Sequence, residues 1–136
     1  MSYTKILDNL YLGNQYSTQI IKNINLIISI GCCSNHIDKN IENIKISIRD
    51  KITSDITPFI DNVCDLIKER LDKNQKILVH CKAGVNRSPA FIIAYLIKYN
   101  NMNLDEAKNY LILLRKVKFK ENFINQIENH FCRIIH

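Results

Sequence analysis

Three features of the 136-residue sequence predict an α/β fold with a central, mostly parallel sheet flanked by helices. Apolar runs of strand length alternate with segments of helical periodicity, the pattern of strands joined by helical crossovers. A strongly apolar strand candidate, ILVH at residues 77–80, leads directly into a short loop and a helix start. Ligands in such folds gather beyond the carboxyl ends of the strands, so that loop is where a site is expected.

Candidate strands lie at Lys5–Leu7, Leu10–Leu12, Leu26–Ile30, Ile44–Ile48 and Ile77–His80. In SDITPFID, Asp55 or Thr57 can cap free amides and Pro58 suits a first turn, after which Ile60, Val63, Ile67 and Leu71 recur at helical spacing. The next helix runs from Ser88-Pro89 to Tyr99. Its Phe91, Ile92, Ala94, Tyr95 and Leu96 leave it apolar nearly all round, which predicts deep burial. Asn103 with Glu106 reads as a capping box for a helix through Leu114, and a last helix spans Glu121–Ile135. No repeat, linker or low-complexity segment interrupts the chain, and its length suits one domain over residues 1–136.

Hydrophobic residues make up 46% of the chain and charged residues 24%, a mixture that excludes a disordered protein. No run of about 18 apolar residues suggests a membrane span, and MSYTKILDNLYLGN lacks the parts of a secretory signal. A cytoplasmic protein is expected. Cys32, Cys33, Cys64, Cys81 and Cys132 are odd in number and without C-x-x-C spacing, so reduced thiols are expected, and neither a metal site nor a cofactor. The net charge of +6 favours anionic partners. The abundance of Ile, Asn and Lys matches AT-rich coding.

The chemistry concentrates in HCKAGVNRS, His80 to Ser88. Six steps of about 3.8 Å from Cys81 to Arg87 can describe most of a ring of roughly 3.6 Å radius, the size of a cradle for one phosphate. Lys82, Ala83, Gly84, Val85, Asn86 and Arg87 would form that cradle. Gly84 permits the backbone angles it demands, and the free amides at the following helix start add positive potential. Arg87 offers a planar fork for two phosphate oxygens. Helix amides and a nearby cation favour a thiolate, which makes Cys81 the candidate nucleophile. His80 is expected to organise the loop through hydrogen bonds. Asn86 either ties the loop down through side-chain bonds to backbone or is merely tolerated there.

HCKAGVNRS matches the H-C-x5-R-S signature of cysteine-dependent protein phosphatases, and its surroundings resemble the dual-specificity branch. LDNLYLGNQYS resembles that branch's opening segment and NRSPAFIIAYLIKYNNMNLDEA its loop-to-helix region. AGVNRS and ISIRDKITSDIT are similar to compact poxvirus-type members. The resemblance implies a protein phosphatase acting on phosphotyrosine and on phosphoserine or phosphothreonine through a phosphocysteine on Cys81. Arg87 would hold the phosphate, Asp50 would be the general acid and Ser88 would stabilise the departing sulfur, with no metal. Asp55 is the rival acid, although helix capping accounts for it. Phosphorylated proteins would be the partners, in the cytosol, or in host cytosol or a virion if the chain is viral.

The same cysteine chemistry serves enzymes acting on phosphoinositides, as Lys82 in HCKAG hints, or on RNA 5′-phosphates. A noncatalytic phosphate-binding module and a redox sensor are readings of another class, and binding to nucleic acid as such is not expected. RKVKFK, Arg115 to Lys120, is read as a solvated basic face. Cys32 and Cys33 are read as core or loop thiols, with a disulfide to Cys81 as the redox alternative. His36, His130 and His136 are read as surface or satisfied histidines. The chain departs from the family pattern twice. FKENFINQI lacks a proline-asparagine turn before the last helix, and no extra N-terminal helix of the kind some viral members use in dimerisation precedes the first strand.

Overall fold

The computed structural model describes residues 3–31, 39–83 and 86–135, with side chains through residue 132. The strands are β1 (Tyr3–Leu7), β2 (Leu10–Gly13), β3 (Leu26–Ile30), β4 (Glu42–Ile46) and β5 (Ile77–His80). They form one sheet in the order β1-β2-β5-β3-β4. Only the β1–β2 hairpin is antiparallel, so β5 lies between two parallel neighbours. The helices are α1 (Ser17–Ile20), α2 (Ile60–Asp72), α3 (Arg87–Tyr99), α4 (Leu104–Leu114) and α5 (Glu121–Ile135), with a 3-10 turn at Thr57–Phe59 leading into α2.

Strand alternation sorts the apolar side chains onto two faces. Leu26, Ile28 and Ile30 of β3 and Ile77 and Val79 of β5 join the main core under α2 to α5, while Ile27 and Leu78 point the other way, to a smaller cluster with Ile21 and Ile24. Ser29 and His80, fully buried, lie on that second face by the same alternation. Within α3 every residue from Ser88 to Leu96 is buried, as its apolar circumference predicts. α5 contributes Phe123, Ile127 and Phe131, a four-residue repeat that seals the far side.

Most local signals act as expected. Asn103 accepts from the Glu106 amide at 2.8 Å while Glu106 Oε1 accepts from the Asn103 amide at 3.0 Å, completing the capping box. Asp55 Oδ1 accepts from the Thr57 amide at 2.9 Å, the capping role that accounts for it. Asparagine takes the left-handed position in four turns, at Asn9, Asn23, Asn74 and Asn101. Asn74 and Asn101 end α2 and α3, where a left-handed residue lets the chain bond back to the last carbonyls.

Some strand bounds and one helix differ from the sequence expectation: β1 starts at Tyr3, two residues before Lys5, and β2 runs one residue past Leu12. β4 starts and ends two residues before Ile44–Ile48. The Gly31 amide bonds the Ile46 carbonyl at 2.7 Å, closing the ladder, and the Ile48 carbonyl is taken by Arg87 instead of a strand. The period is right, since Ile48 still reaches the core. α1 is one turn long, too short to register as helical periodicity.

Truncating Phe91, fully buried in α3, is expected to destabilise the fold by about 3–5 kcal/mol. Asn103→Ala, which removes only a cap, is expected to cost about 1 kcal/mol. Urea midpoints at constant m-value check both.

Candidate active site

Cys81 is the first residue beyond β5, at the carboxyl end of the sheet's middle strand, and is 2% exposed. Ser88, in the first turn of α3, donates its hydroxyl to Cys81 Sγ at 3.1 Å. The bond spans the loop and fixes the distance between strand end and helix start. Lys82 and Ala83 are exposed, and the Lys82 carbonyl accepts from the Gln15 amide at 3.1 Å, anchoring the loop to the segment after β2. Gly84 and Val85 lie outside the described residues. Asn86 occupies the cap position of α3 without bonding its amides; its side chain bonds Asp50 instead.

Arg87 opens α3 and turns its guanidinium toward the ends of neighbouring strands. Nη1 donates to the Ile48 carbonyl at 3.1 Å and the Gly31 carbonyl at 3.3 Å. Nε is buried and, among the described residues, has no protein partner. A buried guanidinium donor without an acceptor is costly, and an oxyanion would satisfy it. Gly31 makes this placement possible. At φ 71 it adopts a conformation that favours glycine, and a Cβ there would lie 2.1 Å from Arg87 Nη1 and 2.2 Å from the Ile48 carbonyl oxygen.

His80 is fully buried, and its Nε2 shares a 2.7 Å hydrogen bond with Ser29 Oγ. Asn43 Nδ2 donates to the same oxygen at 3.0 Å and to the Ile27 carbonyl at 3.0 Å. A polar chain therefore crosses three strands on the face away from the helices, from the edge strand β4 to the residue before Cys81.

Asp50 lies beyond β4, on the loop that leads toward the 3-10 turn. Burial alone would raise its pKa, but hydrogen bonds from Lys120 and Asn86 and the charges of Lys120 and Arg87 outweigh this and lower it. Lys120 Nζ stands 2.7 Å from Oδ1 and 2.9 Å from the Asp50 carbonyl oxygen. The reading of Arg115 to Lys120 as a solvated face therefore fails at both ends. Arg115 is half-buried and donates to Thr4 Oγ1 at 3.1 Å, and burial lowers its pKa. With Thr4, Asn14, Ala83, Leu114 and Lys116 it lines a cavity of about 500 Å³ beside the loop.

Cys64 is a second thiol of the core. It is buried among apolar groups in α2, and its thiol is pushed up to about 12 by burial, which leaves it inert at neutral pH. Cys64, Cys81 and Cys132 are free thiols; Cys32, Cys33, His36 and His136 lie outside the described residues. His130 is satisfied by Asp61 Oδ1 at 3.0 Å. Among the described residues no group of three His, Cys, Asp or Glu side chains could hold a metal ion, and no helix is long and apolar enough to cross a membrane.

Comparison with known proteins places the chain in a family. Residues 10–132 match the model of the dual specificity phosphatase catalytic domain. The chain belongs to the dual-specificity phosphatase family. A protein of Invertebrate iridescent virus 6 named as a tyrosine phosphatase is 32% identical over 128 residues, covering 93% of this chain and 90% of its own. The dual specificity protein phosphatase OPG106 of vaccinia virus is 34% identical over 109 residues, 74% of this chain and 62% of that protein. Poxvirus-type and cellular relatives both occur, and the chain spans about a third of the length of rodent dual specificity protein phosphatase 1. The human tyrosine phosphatase-like serine/threonine/tyrosine-interacting protein shares the fold, with a TM-score of 0.90 at 24% identity over 98% of both chains.

Among dual-specificity phosphatase relatives the enzyme class is protein phosphatase. The structure joins Cys81 to Ser88 by a hydrogen bond and sets Asn86 and the charge of Arg87 against Asp50, while Asp55 stays with its helix turn. Gly31, Ser29, Asn43 and Lys120 join them without having been singled out. One signal was readable: Gly31 is one of only three glycines and directly follows a strand whose end faces the loop. Gly31→Ala is expected to displace Arg87 and lower kcat/KM for an aryl phosphate by about 100-fold. Steady-state kinetics, with circular dichroism to establish an intact fold, checks this.

Proposed function

We propose that this protein hydrolyses phosphotyrosine and phosphoserine or phosphothreonine in proteins through a phosphocysteine intermediate. The observation that carries the reading is the Ser88 hydroxyl on Cys81 Sγ at the end of β5, beside the buried, unmatched Nε of Arg87. Cys81 thiolate attacks phosphorus, an S–P bond forms, and the P–O bond to the leaving group breaks. Arg87 and the loop amides hold the equatorial oxygens, and Asp50 in its protonated form gives the leaving oxygen its proton. Asp50, now a carboxylate, takes a proton from water attacking the phosphocysteine. The S–P bond breaks, its electrons return to sulfur, and the Ser88 hydroxyl bonds the charge that forms.

The breadth of substrate rests on the family and on relatives named for tyrosine and for dual specificity. The cavity beside Ala83, with Arg115 and Lys116 in its wall, gives room for acidic residues flanking a phosphorylated side chain. We place the activity in a reducing cytosol, of a host cell if the chain is viral, because a thiolate nucleophile needs one.

Hydrolysis of paired phosphotyrosine and phosphothreonine peptides, beside a phosphoinositide and an RNA 5′-triphosphate, tests the reading. Both peptides should be turned over, Cys81→Ser should abolish turnover, and Asp50→Asn should slow it by about 10²–10⁴-fold. Ser88→Ala should act mainly on the second step, visible as a burst of leaving group followed by slow turnover. Hydrolysis of the lipid or the RNA alone would reassign the substrate.

A further inference from the structure

The residues that begin α5 form a clasp on the loop that carries Asp50. Asn122 and Gln126, one turn apart on the same helical face, bond the backbone of that loop. Asn122 Nδ2 donates to the Lys51 carbonyl at 3.2 Å and the Ser54 carbonyl at 3.3 Å. Gln126 Nε2 donates to the Ser54 carbonyl at 2.9 Å, and its Oε1 accepts from the Ile56 amide at 2.7 Å. Lys120, the residue before the helix, holds both the carbonyl and the carboxylate of Asp50. Asn86, at the cap of α3, bonds the same carboxylate and acts to lower its pKa. The Lys120 contact differs in kind from the rest, because it fixes the side chain and the backbone of one residue together. A single ammonium on both oxygens restricts the carboxylate's rotation as well as its position.

We propose that Lys120 is the positioning residue for the acid of this reaction, orienting the Asp50 carboxyl toward the leaving oxygen and governing its protonation. The proposal rests on Asp50 being the acid. The charged groups around Asp50 are Lys120 ahead of α5 and Arg87 at the start of α3, with Arg49, Lys51 and Asp55 on its own loop. Of these, only Lys120 forms an ion pair with it among the described residues. Arg87 also acts to lower its pKa, but through charge alone. Removing the ammonium therefore loosens the carboxyl and raises its pKa. The protonated form, which the first step needs, then persists to higher pH.

The test compares Lys120→Met, Lys120→Arg and Asp50→Asn with the native chain across a series of aryl phosphates, following kcat/KM from acidic to neutral pH. With a poor leaving group, Lys120→Met should lose about 10–100-fold, and with a strongly acidic leaving phenol it should lose little. Its falling limb should move to higher pH, and Lys120→Arg, which can donate to both oxygens, should restore rate and profile to within about threefold. A role confined to supporting α5 would lower the rate alike for every leaving group and leave the pH limb in place, and that result overturns the proposal. Asp50→Asn separates the two layers. If it removes the limb while Lys120→Met leaves the profile superimposed on the native one, Lys120 is not the positioning residue. If Asp50→Asn itself leaves rate and limb unchanged, the acid assignment fails and the role of Lys120 falls with it.

Discussion

Everything at the candidate site depends on the immobility of α3. Its residues from Ser88 to Leu96 are all buried, so the helix cannot slide or rotate without exposing core or opening cavities. β5 is equally fixed, with a parallel ladder on each side. The loop between them is therefore a short span between two rigid supports. Its cysteine belongs to the strand end and its arginine to the helix start. The Ser88–Cys81 bond records how closely those supports approach.

A second level of order lies around this span. The His80–Ser29–Asn43 chain secures the strand end from the face opposite the helices, in a region where an unmet polar group would be expensive. Arg87 reaches the other way, to the carbonyls of Gly31 and Ile48, and so joins the helix start to the exits of β3 and β4. Asp50 follows Ile48 by two residues. Arg87 and Asp50 thus share a support, and the charge of Arg87 acts on the Asp50 carboxylate.

What the sequence disclosed follows from the range of the forces involved. β3, β5, the capping box of α4 and the buried character of α3 come from period and from local bonds a few residues long, and all were legible. HCKAGVNRS was legible because Cys81, Arg87 and Ser88 are neighbours in the chain. Ser29 and Asn43 were not, because a serine in an apolar strand and an asparagine in an edge strand acquire meaning only when registers align Ile27 with Asn43 and Ser29 with His80. Lys120 lies 70 residues from its partner and within a run of cations, where nothing local separates it from its solvated neighbours. β4 was displaced by two residues because its end is decided by a distant arginine.

The asparagine-rich turns have an evolutionary consequence. A chain that uses asparagine at Asn9, Asn23, Asn74 and Asn101 has shown that left-handed backbone alone does not require glycine. Drift toward AT-rich codons can then erase glycine wherever a side chain fits. Of the three that persist, Gly13 would drive a Cβ to 2.2 Å from Ser17 Oγ, and Gly31 would drive one into Arg87. At Gly13 and Gly31 the surviving glycine marks a lack of space, the place where backbone meets a side chain it must not displace.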